Sequence, residues 1–167
     1  MKKSLRELCT AIAICFCATG NLFATDNQFN TDHTMDKNLN LIKEWDKVFP
    51  QSDKVSHSKV TFRNRYGITL AADMYKPKHA DGKLPAIAIS GPFGAVKEQS
   101  SGLYAQKLAE RGFLTIAFDP SYTGESGGEP RYVASPDINT EDFCAAVDFL
   151  STRDDVDAEH IGILGIC

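Results

Sequence analysis

A cysteine at the end of an apolar run is the residue here whose type and place could do covalent chemistry. The run Ile161-Gly162-Ile163-Leu164-Gly165 is followed by Ile166 and Cys167. A strand and then Gly-x-Cys is the first half of the nucleophile turn Gly-x-Ser-x-Gly, with Cys in place of Ser. Such a turn joins a strand to a helix so tightly that its nucleophile is held in strained backbone geometry. A thiolate placed there is favoured by the helix N-terminus behind it. The plain alternative is a buried, inert thiol at a strand end, the usual fate of a free cysteine.

Two other segments end in loops that could serve the same site. Ser90-Gly91-Pro92-Phe93-Gly94 follows the apolar run Pro85–Ser90, and Asp119 to Gly128 follows the run Phe113–Phe118. In open α/β sheets, ligands bind beyond the carboxyl ends of the strands. A backbone N–H of the first loop could hold a developing oxyanion. Pro92 has no N–H to give, so Phe93 is the candidate donor and Gly94 the reserve; otherwise the loop is an ordinary turn. Asp119 could act as an acid, but Asp in a turn more commonly accepts from nearby N–H groups and organises its own loop. Lys97, Glu98 and Gln99 could touch substrate; capping of the following helix is the simpler reading.

The histidines stand elsewhere. His33 is in a linker, His57 begins a strand, His79 is in a loop, and His160 is at the amino end of the last strand. Each reads as a solvated surface histidine. No metal-ligand spacing, P-loop or dinucleotide fingerprint is present, so no cofactor is expected.

The elements that must position these loops follow from hydrophobic periodicity. Alternation from Val55 to Arg63, a turn at Arg65-Tyr66-Gly67 and alternation from Ile68 to Met74 read as a β-hairpin. Pro85–Ser90, Phe113–Phe118 and Ile161–Gly165 read as strands buried on both faces. Helices are expected over Ser101–Arg111, with Leu103, Tyr104 and Leu108 on its apolar face, and over Asn139–Leu150, with Phe143, Val147 and Leu150 together and Glu141 and Asp142 in the first turn. The fold class is α/β: a mostly parallel sheet opened by an antiparallel hairpin, with helices on both faces.

With these residues in place, residues 55–167 resemble the α/β-hydrolase superfamily. The nearest branch is that of dienelactone hydrolases, X-prolyl peptidase-like acyl hydrolases and polyketide-transferase-like proteins. The likeness is carried by Gly91 to Gln99, by Phe118 to Arg131, where Asp119 to Gly128 resembles the Asp-x-x-Gly-x-Gly-x-Ser loop after the fourth strand of that fold, and by Ile161 to Cys167. Ser90 stands where the family has His in the first loop. The resemblance implies hydrolysis of an ester, thioester or amide through an acyl-enzyme, with Cys167 as nucleophile and the Phe93 N–H in the oxyanion hole. It implies that the loop from Asp119 to Gly128 lines the site, with Gly94, Asp119 and Tyr122 as candidate substrate-binding residues. It also places the triad acid and His after the nucleophile in the chain. Residues 1–167 are therefore expected to be the N-terminal half of a hydrolase, inactive alone.

Composition sets the rest. The 167 residues are 43% hydrophobic and 24% charged with a net charge of −4, ordinary for a globular domain. An acidic surface disfavours nucleic acid and anionic lipid. Lys2, Lys3 and Arg6, the short apolar stretch Leu8–Thr19 and the small residues up to Ala24 read as a cleaved signal over residues 1–24; an uncleaved anchor is the alternative. An exported, periplasmic or extracellular protein without a spanning segment is expected, acting on a small-molecule or peptide acyl substrate. Its oligomeric state is not legible. Residues 25–54 read as a linker and a short amphipathic helix carrying Leu39, Trp45 and Phe49. Of five cysteines only Cys144 and Cys167 lie beyond the signal, and they are expected as two separate buried thiols. Two rival readings are a non-catalytic secreted remnant or binding module and a Rossmann-type dehydrogenase. Pro92 and Phe93 would crowd the pyrophosphate of the latter.

Overall fold

The computed structural model describes residues 39–167. The expected signal, the linker up to residue 38 and His33 lie outside the described residues. Strands β1 (Val55–Arg63) and β2 (Thr69–Pro77) form the hairpin. They are followed by β3 (Leu84–Ser90), α1 (Ser100–Ala109), β4 (Leu114–Phe118), α2 (Pro136–Ser151) and β5 (Val156–Gly165). The sheet order is β1-β2-β4-β3-β5. The pairs β1–β2 and β2–β4 are antiparallel, and β4–β3 and β3–β5 are parallel. The α/β architecture with a leading hairpin is thus the one expected. No helix among the described residues is long and apolar enough to cross a membrane.

Burial explains why β4 lies near the middle. All five of its residues are buried, and its pleat divides them between two cores. Leu114, Ile116 and Phe118 pack with Phe62, Leu70, Ala145, Ala146 and Leu150 on the α2 side. Ala117 packs with Phe49, Tyr75, Ala105 and Ala109 on the α1 side. Each large apolar side chain so enclosed is worth roughly 1.5–3 kcal/mol.

The helices depart from expectation in instructive ways. Helix α1 buries Ser101, Gly102, Ala105 and Ala109 and leaves Leu103 and Tyr104 exposed. A close approach to the sheet requires small side chains: a Cβ at Gly102 would lie 2.3 Å from the Lys97 carbonyl and 3.1 Å from the Phe49 ring. Helix α2 starts at Pro136, three residues before the expected Asn139, because proline suits a first helical position. Asp142 therefore stands past the first turn. It is buried, with Oδ1 accepting from Asn64 Nδ2 and Ser121 Oγ, and Oδ2 from the Ser121 N–H. Glu141 pairs with Arg65.

No helix forms over residues 39–54. Backbone groups that a helix would use are taken by partners elsewhere in the domain and by one local side chain. The Val48 N–H donates to the Glu98 carbonyl, the Trp45 indole N–H to the Phe49 carbonyl, and the Ile42 N–H to Glu125 Oε1. The segment does dock on the domain, through Phe49 in the α1-side core. The last strand begins at Val156, five residues earlier than the apolar run suggested, because Val156 pairs with Leu84 across an irregular register. Cys144 and Cys167 are unbridged as expected, but both are exposed rather than buried.

Candidate active site

The carboxyl ends of β3, β4 and β5 meet around one cavity of about 180 Å³. Ser90 to Ala95 form one wall, Phe118, Pro120 and Thr123 a second, and Gly165 to Cys167 a third, with Val133, Asn139 and Phe143 closing the α2 side. The parallel pairing of β3 with β5 causes this convergence. It continues past the last strand residue, where the Ile166 N–H donates to the Ser90 carbonyl at 3.1 Å. No charged side chain lines the cavity among the described residues.

Cys167 is exposed at the end of β5 with φ of 69°, in the left-handed region that side-chain-bearing residues rarely occupy. Phe93 and Gly94 form the tip of a turn closed by the Ala95 N–H donating to the Pro92 carbonyl at 2.9 Å. The N–H groups of Phe93 and Gly94 have no acceptor among the described residues. The Phe93 ring is itself exposed. Cys167, Phe93 and Gly94 are thus brought together. Ser90 is buried and donates from Oγ to the Phe118 carbonyl.

Asp119 and Tyr122 do not line the cavity. Asp119 is fully buried beneath it. Its Oδ1 accepts the Lys97 backbone N–H at 2.8 Å, and its Oδ2 accepts Lys97 Nζ at 2.8 Å and the Glu125 N–H at 2.9 Å. Three donors on one carboxyl group match the ionised form, as the loop-organising role requires. Tyr122, at φ 71°, is turned so that its ring lies against Gly128, where a Cβ would come within 2.6 Å.

Lys97 and Glu98 do not cap α1, and Gln99 makes no side-chain cap bond. Lys97 is fully buried, its Nζ also meeting Glu98 Oε1 at 2.6 Å and Glu125 Oε2 at 2.7 Å. Burial works against its charge, but Asp119, Glu125 and Glu98 outweigh this and hold its pKa above the ordinary lysine value. The network continues through Lys59 to Glu125 at 2.6 Å, and through buried Lys47 to Asp73 at 2.9 Å. His57 joins it too: Nε2 lies 2.8 Å from Asp73 Oδ1. It is not a solvated histidine, because the ring stands between Trp45 and Tyr75. His79 and His160 are exposed as expected, with His160 held by Asp157 at 2.7 Å.

Sequence reading missed the buried lysines and the α2-side wall. Lysine is almost never fully buried unless paired, so nothing local marks Lys47 or Lys97. Asp46, Glu98 and Glu125 together have a metal-like spacing. However, the ammonium groups of Lys59 and Lys97 already stand among these carboxylates.

The family model described as X-Pro dipeptidyl-peptidase (S15 family) matches residues 66–167. The uncharacterized protein PA2218 of Pseudomonas aeruginosa is 65% identical over 157 residues, 93% of this chain and 42% of its own. Its crystal structure superimposes with a TM-score of 0.77 at 71% identity, over 79% of this chain and 41% of that one. The thiohydrolase aneE of Aspergillus aculeatus is 33% identical over 69% of this chain and 35% of its own. The α/β hydrolase GrgF from Penicillium has a TM-score of 0.62 at 27% identity, over 67% of this chain and 38% of that one. The chain therefore spans about two fifths of the length of the relatives it matches.

Proposed function

Since the chain belongs to the X-Pro dipeptidyl-peptidase (S15) family and has the α/β-hydrolase fold, we propose that the protein is a thiol-type acyl hydrolase with Cys167 as nucleophile. The observation that carries this is the place of Cys167, on the wall of the cavity it lines together with the Phe93–Gly94 turn.

In this reading the Cys167 thiolate attacks the acyl carbonyl carbon. The carbonyl π electrons move onto oxygen, which the Phe93 N–H holds, with Gly94 in reserve. Collapse expels the alcohol, thiol or amine, which takes up a proton. Water then attacks the thioester and releases the acid and the thiolate. His79 and His160 lie away from the cavity, and His57 is committed to Asp73. The general base and its acid partner therefore come from outside residues 39–167. The 167-residue chain alone is inactive, and a polypeptide of its relatives' length is the enzyme.

The uncharged lining suits a neutral acyl group. The thiohydrolase name of the aneE relative agrees with a thioester substrate. The basic and apolar stretch over residues 2–24 supports export to the periplasm or beyond.

The test is turnover of p-nitrophenyl esters by the full-length polypeptide that carries this chain. Hydrolysis is expected, with its loss in Cys167→Ala and none from residues 1–167 alone. Undiminished turnover in Cys167→Ala would overturn the reading.

A further inference from the structure

We propose that Lys97 and Asp119 are a positioning pair that sets the oxyanion-binding turn; this rests on the hydrolase reading above. One carboxyl group holds Lys97 at both ends, through its backbone N–H and its Nζ, each at 2.8 Å. Asp119 is in turn anchored to the hairpin and its own loop. Its N–H donates to the Ala71 carbonyl at 3.0 Å, and its carbonyl accepts from Ser126 Oγ at 2.7 Å. Lys97 is therefore tied to the central sheet as well as to its neighbour Glu98.

That place is passed to the turn. Two consecutive turns, Pro92 to Ala95 and Val96 to Gln99, leave little slack between Phe93 and Lys97. Helix α1 presses on the Lys97 carbonyl at Gly102 from the other side. A buried ion pair is weak evidence for stability, since apolar residues of like volume serve about as well. Fixing the position of the Phe93 N–H gives the pair a role that apolar residues would not fill. Neither residue touches substrate, so neither is catalytic.

The experiment compares the full-length polypeptide with its Lys97→Met variant on a p-nitrophenyl ester. An oxyanion contact is made only in the transition state, so kcat should fall with KM held within about twofold. A displaced turn should cost on the order of a hundredfold in kcat. Alkylation of Cys167 by iodoacetamide forms no oxyanion, so its rate should match wild type. Lys47→Met removes an equally buried lysine, paired with Asp46 and Asp73 and making no bond to Lys97 or Asp119. It should lower the thermal midpoint and keep kcat. If Lys97→Met does not fold, Asp119→Asn, which keeps the shape of the carboxyl group, is measured in the same way.

Three outcomes overturn the proposal: kcat retained in Lys97→Met, kcat lost equally in Lys47→Met, or alkylation slowed in step with kcat. Failure of the parent reading looks different. It shows as no turnover by wild type or full turnover by Cys167→Ala, and the positioning proposal falls with it.

Discussion

Gly124 sits against the Asp119 carboxyl group so closely that a Cβ there would lie 2.2 Å from Oδ2. Three donors fix that carboxyl group, so it cannot swing aside. Gly124 also has φ of 53°. Gly124→Ala should therefore combine left-handed strain with a collision, and cost roughly 3 kcal/mol or more. Gly67 is the comparison: it has φ of 78° but open space around it. Gly67→Ala should cost only about 1 kcal/mol. Urea midpoints of the two variants check this, and equal losses would contradict it.

Asp155 should contribute to acid sensitivity. Arg153 and Lys76 hold its carboxyl group down at about 2, below the ordinary 3.8. A lowered folded-state pKa gives stability that is present above the unfolded value and lost as pH falls through the folded one. The loss should run from about pH 4 to about pH 2. With solvent screening counted, it should amount to on the order of 1 kcal/mol. Asp155→Asn should remove this part of the pH dependence in unfolding curves taken across that window, and an unchanged slope would refute it.

Beside β3, β5 has no second neighbouring strand among the described residues, and Ile163 is 61% exposed on it. An open apolar edge pairs readily with other chains. The 167-residue chain should therefore aggregate, and Ile163→Lys should reduce light scattering at equal concentration. A monodisperse wild-type chain with a sharp thermal transition would contradict this and favour a stable binding module.

The sequence alone was enough for the order of elements, the hairpin, both faces of the sheet and the three strand-end loops. These rest on local signals: alternation, continuous apolar runs, and glycine or proline at turns. It also marked Cys167, Phe93 and Gly94, because the Gly-x-Cys spacing and the missing N–H of Pro92 are properties of neighbours in the chain. Only the tertiary structure decided what Asp119 touches, that Lys97 and Lys47 are buried, that His57 serves Asp73, and that residues 39–54 dock without a helix. Each of these depends on at least one partner 16 or more residues away, as His57 with Asp73 and Lys97 with Asp119 show. A charged residue that will be buried looks no different in sequence from one that will be solvated. The difference lies in the opposite charge that the fold brings to it.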